Sequence, residues 1–333
     1  MSDALPGTAL SKANGAPLFK KVALLGAGLI GSSLAWAIRE RGLAEHVAAY
    51  SRRAETREVI DILGFADSLH AEPGGAVAEA DLVIFCVPVG ANPALAEAAG
   101  PHIAKGAIVT DGGSVKQAVI RDIGPYLPDG VDFIPGHPIA GTEHSGPEAG
   151  FGDLFEQRWS IQTPEPGTPE AATEKLTAFW QRCGSTVQIM DAGHHDKVLA
   201  ITSHLPHLIA YTIVGTAVDL EESTRAEVVK FSAGGFRDFT RIAGSDPVMW
   251  RGVFLNNREA VLEMLQRFSE DLTLLQRAIR WGEGDVLESL FSRTREIRRG
   301  VIEAHQAGSF DAREPELSGL KGSVPGTASP DED

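Results

Sequence analysis

The sequence feature that most constrains the fold is the hexapeptide GAGLIG at residues 26–31. It follows the apolar run Lys21–Leu25 and precedes the helix-like stretch Ser32–Arg41, and a G-x-G-x-x-G pattern is informative only in such a strand–turn–helix setting. The first glycine permits the tight turn, the second lets the backbone approach a diphosphate, and the third lets the helix pack against the strand. The free amides at the helix N-terminus then face the phosphates. We therefore predict a dinucleotide site formed by Gly26, Gly28, Leu29, Ile30 and Gly31.

Short apolar runs alternate with longer amphipathic stretches through the first half of the chain. Each run is rich in Val, Ile or Ala and does not alternate polar with apolar residues, which is typical of parallel strands buried on both faces. Strand–helix alternation of this kind predicts an α/β fold with a doubly wound, Rossmann-type sheet. The predicted strands are Lys21–Leu25, His46–Tyr50, Asp81–Val87, Gly106–Thr110 and Val131–Ile134, with Trp159–Gln162 and Val187–Met190 as further candidates.

The pattern changes after about Asp191, where helical periodicity replaces the strand-like runs. From Val261 to Ile279, apolar residues recur at spacings of three and four and form one stripe. This organisation predicts a dinucleotide-binding domain at 18–191 and an all-helical substrate and dimerisation domain at 192–305, with disordered tails at 1–17 and 306–333. The predicted helices are His195–Val218, Ser223–Phe231, Asn257–Trp281 and Val286–His305.

Composition argues against several classes of partner. The chain of 333 residues has 45 acidic and 30 basic residues and a net charge of −15, which repels nucleic acid and anionic membranes. No apolar stretch reaches the roughly 18 residues that span a bilayer, and the N-terminus carries no targeting pattern. Two cysteines cannot form a disulfide framework, so we expect a cytoplasmic protein. Small anionic ligands are compatible with this charge, because they respond to the local field.

The residues after the second predicted strand bear on the choice of dinucleotide. An acidic residue there accepts hydrogen bonds from the ribose of NAD, whereas this chain has Ser51, Arg52 and Arg53. A hydroxyl followed by two arginines suits the 2′-phosphate of NADP, so we expect NADP to be favoured. If the arginines merely solvate a loop, NAD is also usable. Val87 and Pro88 close the third predicted strand at the edge where ligands bind in such sheets, so they are predicted to line the cofactor site.

Two segments place candidate catalytic side chains near the same edge. Ser114 lies in the loop DGGSVK between a strand and a helix, where a serine either faces the cofactor or simply caps the helix. His137 lies in GHPIAG, just past the last strand of the predicted sheet. An imidazole in this stiff Gly/Pro setting is placed to face a nicotinamide ring, and the alternative is a histidine without a catalytic role.

The helical half carries a second group of histidines. His204 and His207 are three residues apart and share a helix face, as a metal site would require. A third ligand would have to come from His194, His195 or Asp196. The region has neither thiolates nor an H-E-x-x-H pattern, so we predict no metal site.

Two arginines follow further along the helical half. Arg237 and Arg241 are four residues apart, so both guanidinium groups can face one dianionic ligand. The alternative is that they pair with Asp238 and other acids at the surface.

Six segments together resemble the prephenate/arogenate dehydrogenase family, over roughly residues 20–299. HPIAGTE, SHLPH and FRDFTRIA in this order are specific to that family. The resemblance implies a cyclohexadienyl dehydrogenase type without an ACT or chorismate mutase domain, since the C-terminal tail is too short to fold as one. The segments are GAGLIGSSLA, DLVIFCVPV, DGGSVK, PGHPIAGTEHSG, HHDKVLAITSHLPH and GGFRDFTRIAGSDPVMW.

The resemblance implies oxidative decarboxylation of prephenate to 4-hydroxyphenylpyruvate in tyrosine biosynthesis, by hydride transfer to NAD(P)+. His137 matches the residue that polarises the C4 hydroxyl group, and Ser114 matches the serine that assists it and orders the nicotinamide. Arg241 matches the substrate-binding arginine. The other substrate-binding candidates are Arg237, His204, His207 and Glu143.

Several alternatives stay open at this point. Arogenate has an amino group where prephenate has a side-chain keto group, so an arogenate or dual-substrate dehydrogenase is the nearest rival. A β-hydroxyacid dehydrogenase is disfavoured because the sequence after Lys230 does not fit that family's lysine motif. A nucleotide-sensing module without catalysis is disfavoured because the candidate catalytic residues are all present. We also expect a homodimer, because the stripe from Val261 to Ile279 is long for a helix with one partner.

Overall fold

A computed structural model describes residues 15–142, 144–219, 230 and 234–303. Glu143, nearly all of the predicted helix Ser223–Phe231, and most of the two predicted tails lie outside the described residues.

Six parallel strands form the main sheet: Phe19–Leu25 (β1), Ala44–Tyr50 (β2), Ser68–His70 (β3), Leu82–Phe85 (β4), Ile108–Asp111 (β5) and Asp132–Phe133 (β6). Their spatial order is β3-β2-β1-β4-β5-β6, the order of doubly wound dinucleotide folds. The predicted fold class is therefore confirmed. Sequence analysis missed β3, a three-residue edge strand that is too short to give a periodic signal.

A second, three-stranded sheet follows: Gly136–Pro138 (β7), Trp159–Gln162 (β8) and Thr186–Ile189 (β9). Strands β7 and β8 are antiparallel, and β8 and β9 are parallel. The last two runs noted in the sequence are thus strands. His137, which was predicted just past the last strand of the main sheet, lies within β7, where it pairs with Ile161.

Helices cover both faces of the main sheet, which is why its strands are apolar on both sides. These helices are Leu29–Arg41 (α1), Ala54–Leu63 (α2), Pro73–Val77 (α3), Asn92–Ala99 (α4), Lys116–Ile123 (α5) and Glu170–Arg182 (α6). Side chains of β1 alternate between two cores. Val22 and Leu24 pack in the core formed with α1, α2 and α6, and Ala23 and Leu25 pack in the core formed with α3, α4 and α5.

The described residues after Asp191 are helical, as predicted. The helices are Ala192–Leu199 (α7), Leu205–Val218 (α8), Gly234–Thr240 (α9), Pro247–Asn256 (α10), Arg258–Trp281 (α11) and Gly284–Glu303 (α12). A π-helical turn, Ala200–His204, joins α7 to α8, and the Leu205 amide bonds to the Ala200 carbonyl oxygen five residues back. Pro206 explains this turn, because proline has no amide to continue the ordinary i to i−4 ladder.

The continuous helical stretch Ala192–Val218 corrects one expectation. Its 27 residues include a window of mean hydropathy 1.4, so among the described residues this one helix is long and apolar enough to cross a membrane. The statement that no apolar stretch reaches that length is therefore wrong. Length and composition alone are weak evidence for a membrane span, and helices that pack in cores or between subunits have the same composition.

Contacts divide the chain into two compact units, Met1–Glu270 and Asp271–Asp333, and the division falls inside α11. Helices α5 and α7 contact each other within the first unit. The predicted boundary near Asp191 stays a prediction.

Candidate active site

The glycine-rich turn between β1 and α1 has a geometry that suits a bound dinucleotide. Gly26 has φ of 113°, and a Cβ atom there would lie 2.7 Å from the carbonyl oxygen of Cys86. A Cβ on Gly31 would collide with the carbonyl oxygen of Gly26, whereas one on Gly28 would meet no atom within 4 Å. Gly28 therefore borders open space at the N-terminus of α1, which begins at Leu29 and has no side-chain cap. Open space beside the free amides of a helix N-terminus is what a diphosphate requires, so this arrangement supports the predicted cofactor site.

Two loops and strand β7 meet beside this turn. A Cβ built on Gly112 would lie 3.1 Å from Ile30 Cγ2 and 3.9 Å from Pro138 Cδ. The DGGSVK loop is thus packed between the glycine turn and the strand that carries the candidate catalytic histidine. Val87 and Pro88 follow β4, and the Val87 side chain would be only 2.8 Å from a Cβ on the first glycine of the turn.

A buried ion pair anchors this junction. Lys116, the first residue of α5, is fully buried, and its ammonium group contacts the Asp111 carboxylate at 2.5 Å and donates to the Gly136 carbonyl oxygen. The carboxylate also accepts from the Gly136 amide at 2.9 Å. Burial lowers the pKa of Lys116, and the negative charge of Asp111 opposes that shift. The pair ties the loop that carries Ser114 to the strand that carries His137.

The N-terminus of α5 is capped by a residue from the helical half. The carboxylate of Asp196 accepts from the amides of Lys116 at 2.7 Å and Gln117 at 3.0 Å. The N-cap residue itself is Val115, whose side chain makes no cap hydrogen bond. The alternative that Ser114 is only a helix cap is therefore wrong.

The same carboxylate ends a chain of hydrogen bonds that begins at His137. His137 Nδ1 lies 2.9 Å from His195 Nε2, and His195 Nδ1 lies 2.8 Å from Asp196 Oδ1. The two imidazole rings meet edge to face, with centroids 5.1 Å apart. All three side chains are buried.

Burial lowers the pKa of each of these histidines. The pKa of His137 falls well below its usual value because of burial, and repulsion from a protonated His195 and from Lys116 adds to the effect. The pKa of His195 falls for the same first reason, although its hydrogen bond to Asp196 opposes the shift. Both rings are therefore neutral near pH 7.

His204 is the third buried histidine of the region, and Asn257 orients it. The Asn257 amide nitrogen donates to the Asp196 carbonyl oxygen at 2.8 Å and to His204 Nδ1 at 3.0 Å. His204 Nδ1 is thus an acceptor, so the proton of the neutral ring is on Nε2. Among the described residues that buried Nε2 has no hydrogen-bond partner. Burial lowers the pKa of His204 to about 4.

His207 lies one helical turn further and is held differently. Its ring stacks on Trp250 with centroids 3.6 Å apart, and its Nδ1 donates to the Ser203 carbonyl oxygen at 2.9 Å. Burial lowers the pKa of His207, and the positive charge of Arg241 contributes, which puts Arg241 in the neighbourhood of the SHLPH segment. Arg237 and Arg241 have exposed side chains on consecutive helical turns.

The loop after β2 presents the predicted cofactor arginines to solvent. Ser51 is half-buried, and Arg52 and Arg53 are exposed. Sequence analysis missed Arg57, whose guanidinium donates to the carbonyl oxygens of Ser51 at 2.7 Å and Arg52 at 3.0 Å. The sequence does contain a signal for Arg57, because it lies four residues after Arg53 and therefore one helical turn along α2, near the same loop.

Other functional candidates were missed because their partners are distant in sequence. The sequence pattern indicates His195 and Asp196 only as possible metal ligands, and within the ranges that the structure covers no three His, Cys, Asp or Glu side chains form a group that could hold a metal. Asn257 lies 53 residues from His204 and gave no local signal. Asp111 and Lys116 are the two ends of the DGGSVK loop, and their opposite charges are a sequence signal for an ion pair.

The strand order, the glycine turn and the buried histidines beside it define an NAD(P)-dependent dehydrogenase with a helical second part. The family model described as "Prephenate dehydrogenase, nucleotide-binding domain" matches residues 34–189. The model described as "Prephenate dehydrogenase, dimerization domain" matches residues 191–293. The chain belongs to the prephenate dehydrogenase family, and the activity that the sequence resemblance implied is that of this family.

Three relatives align with this chain over nearly their whole length. A cyclohexadienyl dehydrogenase from Zymomonas mobilis is 40% identical over 288 residues, which is 86% of this chain and 98% of the relative. The crystal structure of prephenate dehydrogenase from Aquifex aeolicus with hydroxyphenyl propionate and NAD+ is 32% identical, with a TM-score of 0.77, covering 85% of this chain and 98% of that one. Synechocystis arogenate dehydrogenase is 26% identical, with a TM-score of 0.71 and coverage of 84% and 99%.

Proposed function

We propose that this chain oxidatively decarboxylates prephenate to 4-hydroxyphenylpyruvate as a step of tyrosine biosynthesis, with His137 as the proton acceptor. The observation that carries the proposal is the buried, neutral imidazole of His137 on β7, whose neighbour Pro138 packs near the DGGSVK loop beside the cofactor turn. The hydroxyphenyl propionate in the Aquifex aeolicus structure shares the hydroxyphenyl ring of the proposed product, which supports this assignment.

The reaction needs one base and one hydride acceptor. When bound, NAD(P)+ supplies the hydride acceptor for C4 of the ring. His137 takes the proton of the C4 hydroxyl group on its unprotonated nitrogen. The carbon–carbon bond to the ring carboxylate then breaks, its electron pair makes the ring aromatic, and the ring oxygen takes its proton back from His137. Ser114, on the loop between the cofactor turn and β7, assists His137 and orders the nicotinamide.

The substrate has two carboxylates, so it needs cations and donors in an acidic protein. Arg241, near the SHLPH segment, and Arg237 supply positive charge for them. The Nε2–H group of His204 is a buried donor without a partner in the described chain, and a substrate oxygen would satisfy it. His207, whose ring stacks on Trp250 one helical turn further, is the second histidine proposed to bind the substrate. Glu143, a further pocket candidate, lies outside the described residues.

A second candidate function is turnover of both prephenate and arogenate. It is favoured by the 40% identity to a protein described as a cyclohexadienyl dehydrogenase and by the likeness to an arogenate dehydrogenase structure. The two substrates differ only in a side-chain keto or amino group, so the chemistry at C4 is the same for both.

For the cofactor, we propose a preference for NADP over NAD. Arg52 and Arg53 are exposed at the end of β2, and Arg57 holds the loop by its backbone, so both side chains are available for a 2′-phosphate. Substitution of Arg52 and Arg53 by alanine should raise the KM for NADP+ about tenfold or more, the loss expected for charge-assisted hydrogen bonds, and leave the KM for NAD+ unchanged. Equal changes for both cofactors would refute the preference.

For assembly, we propose a homodimer formed by the helical part, a domain boundary near Asp191, and a cytoplasmic location. The match to a dimerization domain supports the dimer. So does the exposure of large apolar side chains on the helices, which a subunit interface would cover. They include Ile213, Val218, Leu255, Leu262, Leu272, Ile279, Phe291 and Ile297. Light scattering that gave the mass of one 35.4 kDa chain would refute the dimer.

The decisive experiment runs four reactions side by side, prephenate or arogenate with NAD+ or NADP+, and follows the absorbance of the reduced nicotinamide. We expect prephenate to be turned over, and reduction with none of the four pairs would refute the proposed function. His137→Asn should lower kcat by roughly 100- to 10,000-fold, the range for loss of a general base. Full turnover by this variant would refute the role of His137.

A further inference from the structure

The hydrogen-bond chain behind His137 has a defined direction, because its far end is a carboxylate. An ionised carboxylate can only accept hydrogen bonds. Asp196 accepts from two backbone amides of α5, whose N-terminal dipole stabilises the negative charge. At 2.8 Å from Asp196 Oδ1, His195 Nδ1 must therefore donate, so the neutral His195 ring carries its proton on Nδ1. Its Nε2 is left as an acceptor.

The same argument applies to the imidazole ring of His137. His137 Nδ1 lies 2.9 Å from His195 Nε2, so His137 Nδ1 must donate in turn. We propose that Asp196 and His195 are positioning residues, which hold His137 in the one tautomer whose Nε2 has a free lone pair. This inference rests on the proposed function, in which His137 is the proton acceptor, and it assigns the accepting atom.

The opposite tautomer is excluded by the surroundings. With its proton on Nε2, His137 would point a bare Nδ1 at the bare Nε2 of His195, and two lone pairs would face each other across 2.9 Å. Both residues are buried, so water cannot separate or satisfy these atoms. We call the hydrogen-bonded series His137–His195–Asp196 the relay. It also explains how a buried, neutral His137 can still act as a base. When His137 takes up a proton, the imidazolium keeps its hydrogen bond to His195, which in turn is hydrogen-bonded to the negative charge of Asp196.

Substitutions at His195 test the role of the relay in turnover, since Asp196 also caps a helix and is harder to interpret. In His195→Leu, His137 loses its acceptor, so kcat should fall at least about 100-fold while KM changes less than about threefold. In His195→Gln the amide oxygen can still accept from His137, so this variant should keep at least about ten times the kcat of the leucine variant. Equal losses in both variants, or a rise in KM with unchanged kcat, would overturn the proposal. His194→Leu is the matched control, because His194 is the adjacent histidine on the same helix and is exposed, whereas His195 is buried; its kcat should equal that of the wild type, and a comparable loss there would also overturn the proposal.

The tautomer itself can be measured without turnover. In the full-length protein labelled with 15N-histidine, the 15N chemical shifts distinguish protonated from bare ring nitrogens, and the signals that disappear in His137→Asn identify His137. We expect a protonated Nδ1 and a bare Nε2. A protonated Nε2 in an active enzyme would refute the relay and leave the proposed function intact. The expected shifts in a protein that reduces neither cofactor with either substrate would refute the proposed function instead.

Discussion

Replacement of Gly28 by alanine should separate cofactor binding from folding. Gly28 has φ of −80° and ψ of −168°, an extended conformation that alanine adopts without strain. The new Cβ would meet no protein atom within 4 Å. We therefore expect the free energy of unfolding to stay within about 0.5 kcal/mol of the wild-type value, as for substitutions away from packed features. The methyl group would instead occupy the space through which a diphosphate reaches the N-terminus of α1.

The loss of affinity follows from the cost of overpacking. An extra methyl group in a tightly packed contact costs about 1–3 kcal/mol. Applied to the bound state alone, this corresponds to a roughly 5- to 150-fold weaker binding of the dinucleotide. Titration calorimetry with NAD+ and NADP+ would measure the affinity, and urea denaturation of the unliganded protein would measure the stability.

Gly31→Ala is the matched control, because it adds the same methyl group one turn along α1. Here the Cβ would collide with the carbonyl oxygen of Gly26 and lie 3.2 Å from the Cβ of Cys86, so α1 must move away from the sheet. Because the obstacle is a backbone atom, the cost in unfolding free energy should lie near the upper end of the overpacking range, about 3 kcal/mol. The better helix propensity of alanine offsets about 1 kcal/mol of this cost. We therefore expect the free energy of unfolding to fall by about 2 kcal/mol. Unchanged dinucleotide affinity in Gly28→Ala, or equal destabilisation by the two variants, would refute this account of the turn.

Two further predictions concern the buried polar groups. Lys116→Met leaves the Asp111 carboxylate buried without its cation, which should cost about 3–5 kcal/mol of unfolding free energy by urea denaturation; a loss below about 1 kcal/mol would contradict the anchoring role of the pair. Acidification should destabilise the protein, because burial lowers the pKa of His204 to about 4 from 6.5, so below pH 6.5 the unfolded chain binds more protons than the folded chain. Between pH 6.5 and about 4.5 this one histidine should lower the free energy of unfolding by about 2 kcal/mol. In His204→Asn, urea denaturation measured over the same pH range should show a decrease that is smaller by that amount. An unchanged dependence of the unfolding free energy on pH would argue against the buried neutral ring.

The sequence predicted those parts of the fold whose cause is local. Strands β1, β2, β4 and β5 are buried between helices, so each is a continuous apolar run that can be recognised in the sequence. Strand β7 gave no such signal, because its residues Gly136, His137 and Pro138 have low strand propensity and only the pairing with β8 makes them a strand. The π-helical turn before α8 was equally invisible, although Pro206 marks its position.

The same distinction between local and long-range causes applies to the candidate site. The glycine turn could be predicted residue by residue, because turn geometry and diphosphate access act over six neighbouring positions. The relay could not be predicted, because His137 and His195 are 58 residues apart and meet only when α7 docks against α5. Tautomers and hydrogen-bond directions depend on such contacts, so a list of polar residues cannot supply them.

The cap that Asp196 provides has a consequence for how the first half of the chain folds. Helix α5 has only eight residues, too few to persist alone in water, and its first amide is satisfied by a carboxylate 80 residues further along the chain. A fragment cut at Asp191 would contain the nine strands found among the described residues and still lack this cap, so the loop before α5 should fray. During synthesis, the cofactor-facing edge of the sheet is therefore completed only after α7 has left the ribosome.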